Sequence, residues 1–143
     1  MSNAYYSAAI DGFLAAAPDA ILGELTRNSA GDIDQAQVEA WRREIELLQR
    51  SLDSIEGAVH LEYVVPRIGS RIDAAIIIGS VVFVVEFKVG AEGFSTADLN
   101  QAWDYALDLK NFHSASHQLT IVPILVATEA VDSDTALGVL HAD

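Results

Sequence analysis

The stretch RIGSRIDAAIIIGSVVFVVEFKVG, Arg67 to Gly90, decides the fold. Two apolar runs separated by Gly79-Ser80 read as a β-hairpin with a two-residue turn. In that register Ile78 faces Val81, Asp73 faces Glu86 and Arg71 faces Lys88. Side chains alternate across a strand. Arg71, Asp73, Ala75 and Ile77 should therefore share a face with Val82, Val84, Glu86 and Lys88. The other face, running from Ile72 to Ile78 and from Val81 to Phe87, is wholly apolar. Strands apolar on both faces belong in the middle of a sheet.

Two carboxylates directly opposite each other repel. At roughly 5 Å and an effective dielectric of about 20 the repulsion is on the order of 3 kcal/mol. One carboxylate can answer by holding a proton at a raised pKa. A divalent cation between the two is the other answer, and oxygen ligands suit Mg²⁺, Mn²⁺ or Ca²⁺. The competing reading is an edge-strand ladder of surface ion pairs, Arg71 and Lys88 against Asp73 and Glu86. The apolar flanks weigh against it, because central strands rarely carry surface pairs.

Working outward, residues 5 to 27 read as helical in two pieces, with Pro18 in the first turn of the second. Asn28 to Asp34 is a loop by composition. Gln35 to Ser54 is an amphipathic helix whose stripe is Val38, Trp41, Ile45, Leu48 and Leu52, ended by Gly57. A strand follows over Val59 to Pro66, then the hairpin strands Arg71 to Ile78 and Val81 to Val89. Ser95 or Thr96 caps a helix running to Phe112, with Leu99, Ala102, Ala106 and Leu109 as its core stripe. Leu119 to Thr128 is a near-continuously apolar strand. Val131 to Leu140 begins another element. The expected class is α/β: a mixed central sheet of about four to five strands flanked by helices.

The 143 residues suit one domain, residues 5–143 with a core over 35–128. The apolar trace at the end suggests an N-terminal part of a larger protein. No apolar run has the length of a membrane-crossing helix, and no basic-then-apolar secretory signal opens the chain. With no cysteine, disulfides, thiol catalysis and cysteine-held zinc are excluded, and a cytoplasmic location is compatible. His113 and His117 have a helical ligand spacing, but the Ser-Ala-Ser between them makes a zinc site a poor expectation. A net charge of −13 argues against a general nucleic-acid binder. The two lysines are Lys88 and Lys110, so Arg67, Arg71 and Lys88 make a local positive patch on an acidic body.

The order helix, three strands, helix, strand, with Asp73 followed by Glu86-Phe87-Lys88, resembles the PD-(D/E)XK nuclease superfamily. IGSRIDAAI, VVEFKVGA, QAWDYALDLKNFH and IVPILVAT together look like the nuclease-like domain found N-terminal to a helicase domain in some bacterial proteins. The resemblance covers roughly residues 35 to 128. It implies a restriction-endonuclease-like three-layer fold and Mg²⁺- or Mn²⁺-dependent endo- or exonucleolytic hydrolysis of phosphodiester bonds in DNA or RNA. Asp73, Glu86 and the Phe87 carbonyl would hold the metal. Lys88 matches the motif lysine, and Gln101 matches a helix glutamine that some members add to the site. Glu44 is the candidate for a first-helix acid, with Glu24 and Glu46 competing. Arg71 and Arg67 would bind substrate phosphate, and Tyr105 could reach the pocket mouth. Two rival expectations stand beside this one. One is an inactive nucleic-acid-binding or regulatory module attached to a helicase. The other is a protein-interaction domain, including a homodimer on an apolar helix face.

Overall fold

A computed structural model describes residues 3–65, 69–93, 95–112, 119–129 and 137–139. Arg67, His113 and His117 lie outside the described residues. The elements in order are β1 (Ala4–Ala9), α1 (Ile10–Ala15), α2 (Pro18–Asn28), α3 (Gln35–Ser51), β2 (Ala58–Val64), β3 (Arg71–Ile78), β4 (Val81–Lys88), α4 (Thr96–Phe112), β5 (Thr120–Ala127) and β6 (Leu137–Val139). They form one mixed sheet in the order β1-β2-β3-β4-β5-β6. Five strands have six to eight residues, and β6 is a three-residue strand at the edge. Neighbours run antiparallel except β4 and β5, which are parallel and joined by α4. A parallel neighbour needs such a crossover.

The expected α/β class, with a mixed sheet between helices, is what the chain adopts. Helices α1 to α3 cover one face, where Ile10, Phe13, Ile21, Leu25 and Ile45 meet Val59, Leu61 and Ile76. On the other face, Ala106 and Leu109 of α4 pack on Val82, Val84 and Ile121. Helix α3 starts where Asp34 caps it, its side chain accepting from the Gln37 amide at 2.8 Å. Gly57 then lets the chain pass close over β3: a Cβ there would lie 2.1 Å from the Ile77 carbonyl oxygen. On the α3 face a groove of about 360 Å³ remains, walled by Leu48, Leu52, Ile76, Phe83, Val85 and Val126.

Two expectations are corrected. Residues 4–9 form β1 rather than the start of a helix. Ala-rich composition favours helix only weakly, and pairing with the open edge of β2 decides the matter, with Tyr6 buried against Phe13. The strict alternation of faces also fails at one level of the sheet. Leu61 and Ala74 belong to the α1–α3 cluster, while the next apolar residues outward, Tyr63 and Ile72, pack in the α4 cluster. Between them, Glu62 has φ 53°, a left-handed conformation uncommon for a residue with a Cβ. Pairing of β2 with β3 keeps its register across this point, so only the facing changes. In consequence Arg71 and Lys88 do not share a face. Arg71 turns to Glu62 and Tyr5, and Lys88 turns to α4.

Candidate active site at a fork in the sheet

The β3–β4 ladder runs from Ile78↔Val81 to Ala74↔Val85, the register expected from the Gly79-Ser80 turn. Beyond it, the two carboxylates take over the hydrogen bonds. The Asp73 amide donates to Glu86 Oε1 at 3.1 Å, and the Phe87 amide donates to Asp73 Oδ2 at 2.9 Å. Meanwhile β3 stays paired with β2 out to Arg71, and β4 stays paired with β5 out to Lys88. The sheet thus forks between β3 and β4, and Asp73 and Glu86 sit in the fork.

Two more carboxylates close on this point. Glu44 comes down from α3, one residue before the core residue Ile45, and is 8% exposed. Glu62 comes from β2 and is 4% exposed. One oxygen each of Glu44, Glu62 and Asp73 lie within 4.8 Å of one another. Glu62 has donors of its own: Trp41 Nε1–H at 2.8 Å and Arg71 Nε at 2.6 Å. Asp73 and Glu86 have backbone amides as donors but, among the described residues, no basic side chain bonded to them. Among the described residues no basic side chain forms an ion pair with Glu44, Asp73 or Glu86. None donates a hydrogen bond to Glu44. Buried charge without a counter-ion is costly.

The proton affinities follow from this geometry. Burial first, and the Asp73 charge second, push the Glu86 carboxyl up to about 9. Burial, then Asp73, Glu62 and Glu86, hold Glu44 well above the usual carboxylate range. Asp73 is also raised by burial, against the opposing pull of the Phe87 amide. Glu62 is raised by burial, and the Trp41 hydrogen bond opposes the rise. Burial raises both carboxyls and the Asp73 charge raises Glu86 further, so the Asp73–Glu86 pair favours holding one proton between them. The cluster is therefore a set of carboxylate oxygens of the kind suited to protons or to a hard cation.

On the α4 side of the fork, Lys88 Nζ donates to Gln101 Oε1 at 2.9 Å and lies 3.4 Å from Asp98 Oδ1. Gln101 Nε2 in turn donates to the Tyr105 hydroxyl at 3.2 Å. The α4 N-terminus fixes this row. Ser95 Oγ accepts from the Asp98 amide and Asp98 Oδ2 accepts from the Ser95 amide, both at 3.1 Å, a reciprocal cap. Asp98 so caps its helix with one oxygen and holds Lys88 with the other.

Of the residues singled out from the sequence, Asp73, Glu86, Glu44, Lys88, Gln101 and Tyr105 gather around the fork. The Phe87 main chain meets Asp73 through its N–H. Arg71 lies next to the site but is engaged with Glu62 and the Tyr5 hydroxyl. Glu24 and Glu46 are not in the cluster of close carboxylates. Sequence reasoning missed Glu62, Trp41 and Asp98. The signal for Glu62 was the same as for Asp73 and Glu86, a charge inside an apolar strand. Asp98 lies in the first turn of α4, and its hold on Lys88 needs the tertiary fold. Comparison of the chain with protein-family models, with curated proteins and with solved structures gave no match.

Proposed function

We propose that this chain is a metal-dependent nuclease-like domain that hydrolyses phosphodiester bonds in DNA or RNA. The observation that carries the reading is the fork: Glu44 and Glu86 buried and Asp73 half-buried, none of them in an ion pair among the described residues, beside a lysine two residues along β4. The donor set fits Mg²⁺ or Mn²⁺: it is all carboxylate oxygen, one oxygen each of Glu44, Glu62 and Asp73 lie within 4.8 Å of one another, and Glu86 adjoins Asp73 across the fork. Asp73, Glu86 and Glu44 would hold it with the Phe87 carbonyl, and Glu62 would complete the acidic wall. When bound, the ion supplies Lewis acidity toward a phosphoryl oxygen and a more acidic water.

The chain's own residues divide the remaining work. Lys88 orients a water and offsets charge that grows on the phosphoryl oxygens. Gln101 and Asp98 keep the Lys88 ammonium at the fork, and Tyr105 buttresses Gln101. Arg71, with nearly half its side chain exposed, offers its outer guanidinium edge to a substrate phosphate. A second reading is favoured by the net charge of −13 and by the apolar groove beside α3: an inactive regulatory or protein-interaction module attached to a helicase.

Calorimetric titration of Mn²⁺ into the wild type and Asp73→Asn at physiological salt tests the centre. A saturable site lost in the variant is the expected result. Cleavage of single- and double-stranded DNA and RNA should then depend on Mn²⁺ or Mg²⁺ and fall about a hundredfold or more in Lys88→Ala. Equal, weak cation binding by both proteins overturns the reading.

A further inference from the structure

Beside the carboxylate centre lies a separate cavity of about 230 Å³, between β1, the loop before α3 and the first turns of α3. Tyr5, Asp32, Asp34, Gln37, Trp41 and Arg71 are among its walls. Two of these, Trp41 and Arg71, are the residues that hold Glu62. The cavity and the fork are therefore the two sides of one wall, and a molecule in the cavity lies directly next to the centre.

The chemistry of the walls narrows the occupant. The volume is below the range for drug-sized ligands, so it suits a single flat ring system. One wall is the Tyr5 ring, whose face carries the Arg71 guanidinium at 5.5 Å from the centroid. Such aromatic and guanidinium planes stack on nucleobases. The rim is made of acceptors. Asp32 and Asp34 are exposed, and only one oxygen of Asp34 is taken by the Gln37 amide. Carboxylates repel phosphate but accept from amino groups. Arg71, the basic residue among the described walls of the cavity, stands on the side toward the fork.

We propose that this cavity binds an unpaired, amino-bearing nucleobase of a nucleic-acid strand whose phosphate lies at the fork. The base enters between Tyr5 and the acidic rim, and its exocyclic amino group donates to Asp32. A base seated in the cavity has left its stack and its pair, so only a single-stranded, frayed or extruded nucleotide can enter. Cytosine, adenine and guanine carry such an amino group; thymine and uracil do not. The arrangement also explains how so acidic a chain can hold nucleic acid at all: the contact is to the base, and few phosphate contacts are needed. The placement of the phosphate rests on the phosphodiester reading, whereas the recognition of the base does not.

Two probes separate these parts. Saturation-transfer NMR with the free deoxynucleotides dCMP, dAMP and TMP, in the absence of divalent cations, reads the cavity alone. Fluorescence anisotropy with labelled deoxycytidine, deoxyadenosine and thymidine homopolymers and a short duplex, in Ca²⁺, reads the strand. The cytosine and adenine strands should bind roughly tenfold or more tightly than the thymidine strand, as expected of one hydrogen bond to a charged acceptor. The duplex should be the weakest. Asp32→Asn, an exposed loop change that removes the charge and leaves only a neutral amide oxygen, should cut the preference several-fold. Asp53→Asn, an equal change of charge far along the chain, should leave the preference in place. Equal affinities for all three strands in the wild type, or a preference untouched by Asp32→Asn, overturns the proposal. Cation-dependent cleavage with no base preference removes the cavity's role and leaves the phosphodiester reading. Preferential binding of dCMP and dAMP with no cleavage by any cation keeps the cavity and removes that reading.

Discussion

Raising the pH on cation-free protein should destabilise it, and the fork supplies the magnitude. Glu86 is pushed up to about 9 by burial and by Asp73, against an ordinary value of 4.5. Between those values the folded state keeps a proton that the unfolded chain releases. Stability therefore falls as pH rises, by about 1.4 kcal/mol per pH unit for one proton. His60 works the other way, since burial lowers it from 6.5, so its contribution is complete by about pH 7. From pH 7 to 8.5 the loss is then about 2 kcal/mol from Glu86 alone. Glu44, raised in the same direction, adds to it. For a chain of this size 1 kcal/mol moves the midpoint by roughly 3 to 4 °C, so the melting temperature should drop by at least about 6 °C. Glu86→Gln is neutral in both states and should flatten the slope by one proton's worth. Mn²⁺ added at pH 8.5 should restore the wild-type midpoint, because it takes the place of the protons. Scanning calorimetry in a chelator, with and without Mn²⁺, reads all of this. Identical slopes in the wild type and Glu86→Gln would refute the shared-proton account of the fork.

Two further outcomes follow from particular contacts. Trp41→Phe removes the buried N–H that Glu62 accepts and should cost about 1–3 kcal/mol in urea denaturation, less in a Glu62→Gln background. Gly57→Ala would bring a Cβ against the β3 backbone at Ile77 and should destabilise by about 2–4 kcal/mol. A neutral result in the same denaturation assay would mean that the α3–β2 connection passes β3 at a greater distance.

Much of the site could be seen in the hairpin before any folding was considered. A two-residue turn sets the register, and that register, kept as far as Ala74↔Val85, brings Asp73 beside Glu86 at the fork. The same count also misplaced Arg71. It assumed an unbroken pleat, and the left-handed Glu62 on the neighbouring strand marks the level where the pleat breaks. No periodicity within β3 could reveal a change of facing that coincides with its partner strand. The N-terminal residues illustrate the same limit: Ala4–Ala9 is helix-like in composition and becomes a strand because β2 has an open edge.

By itself the sequence determined what is local and periodic: the hairpin register, the stripes of α3 and α4, a helix start at Ser95 or Thr96, and the α/β class. These depend on residues a few positions apart, whose geometry the backbone dictates. Only the tertiary structure decided the company the carboxylates keep. Glu44, Glu62, Asp73 and Glu86 come from four different elements, and their distances depend on how α3 lies on the sheet. The same holds for Lys88, which α4 draws away from Arg71. Coulomb energy depends on separation in space and on burial, and neither is a property of spacing along the chain.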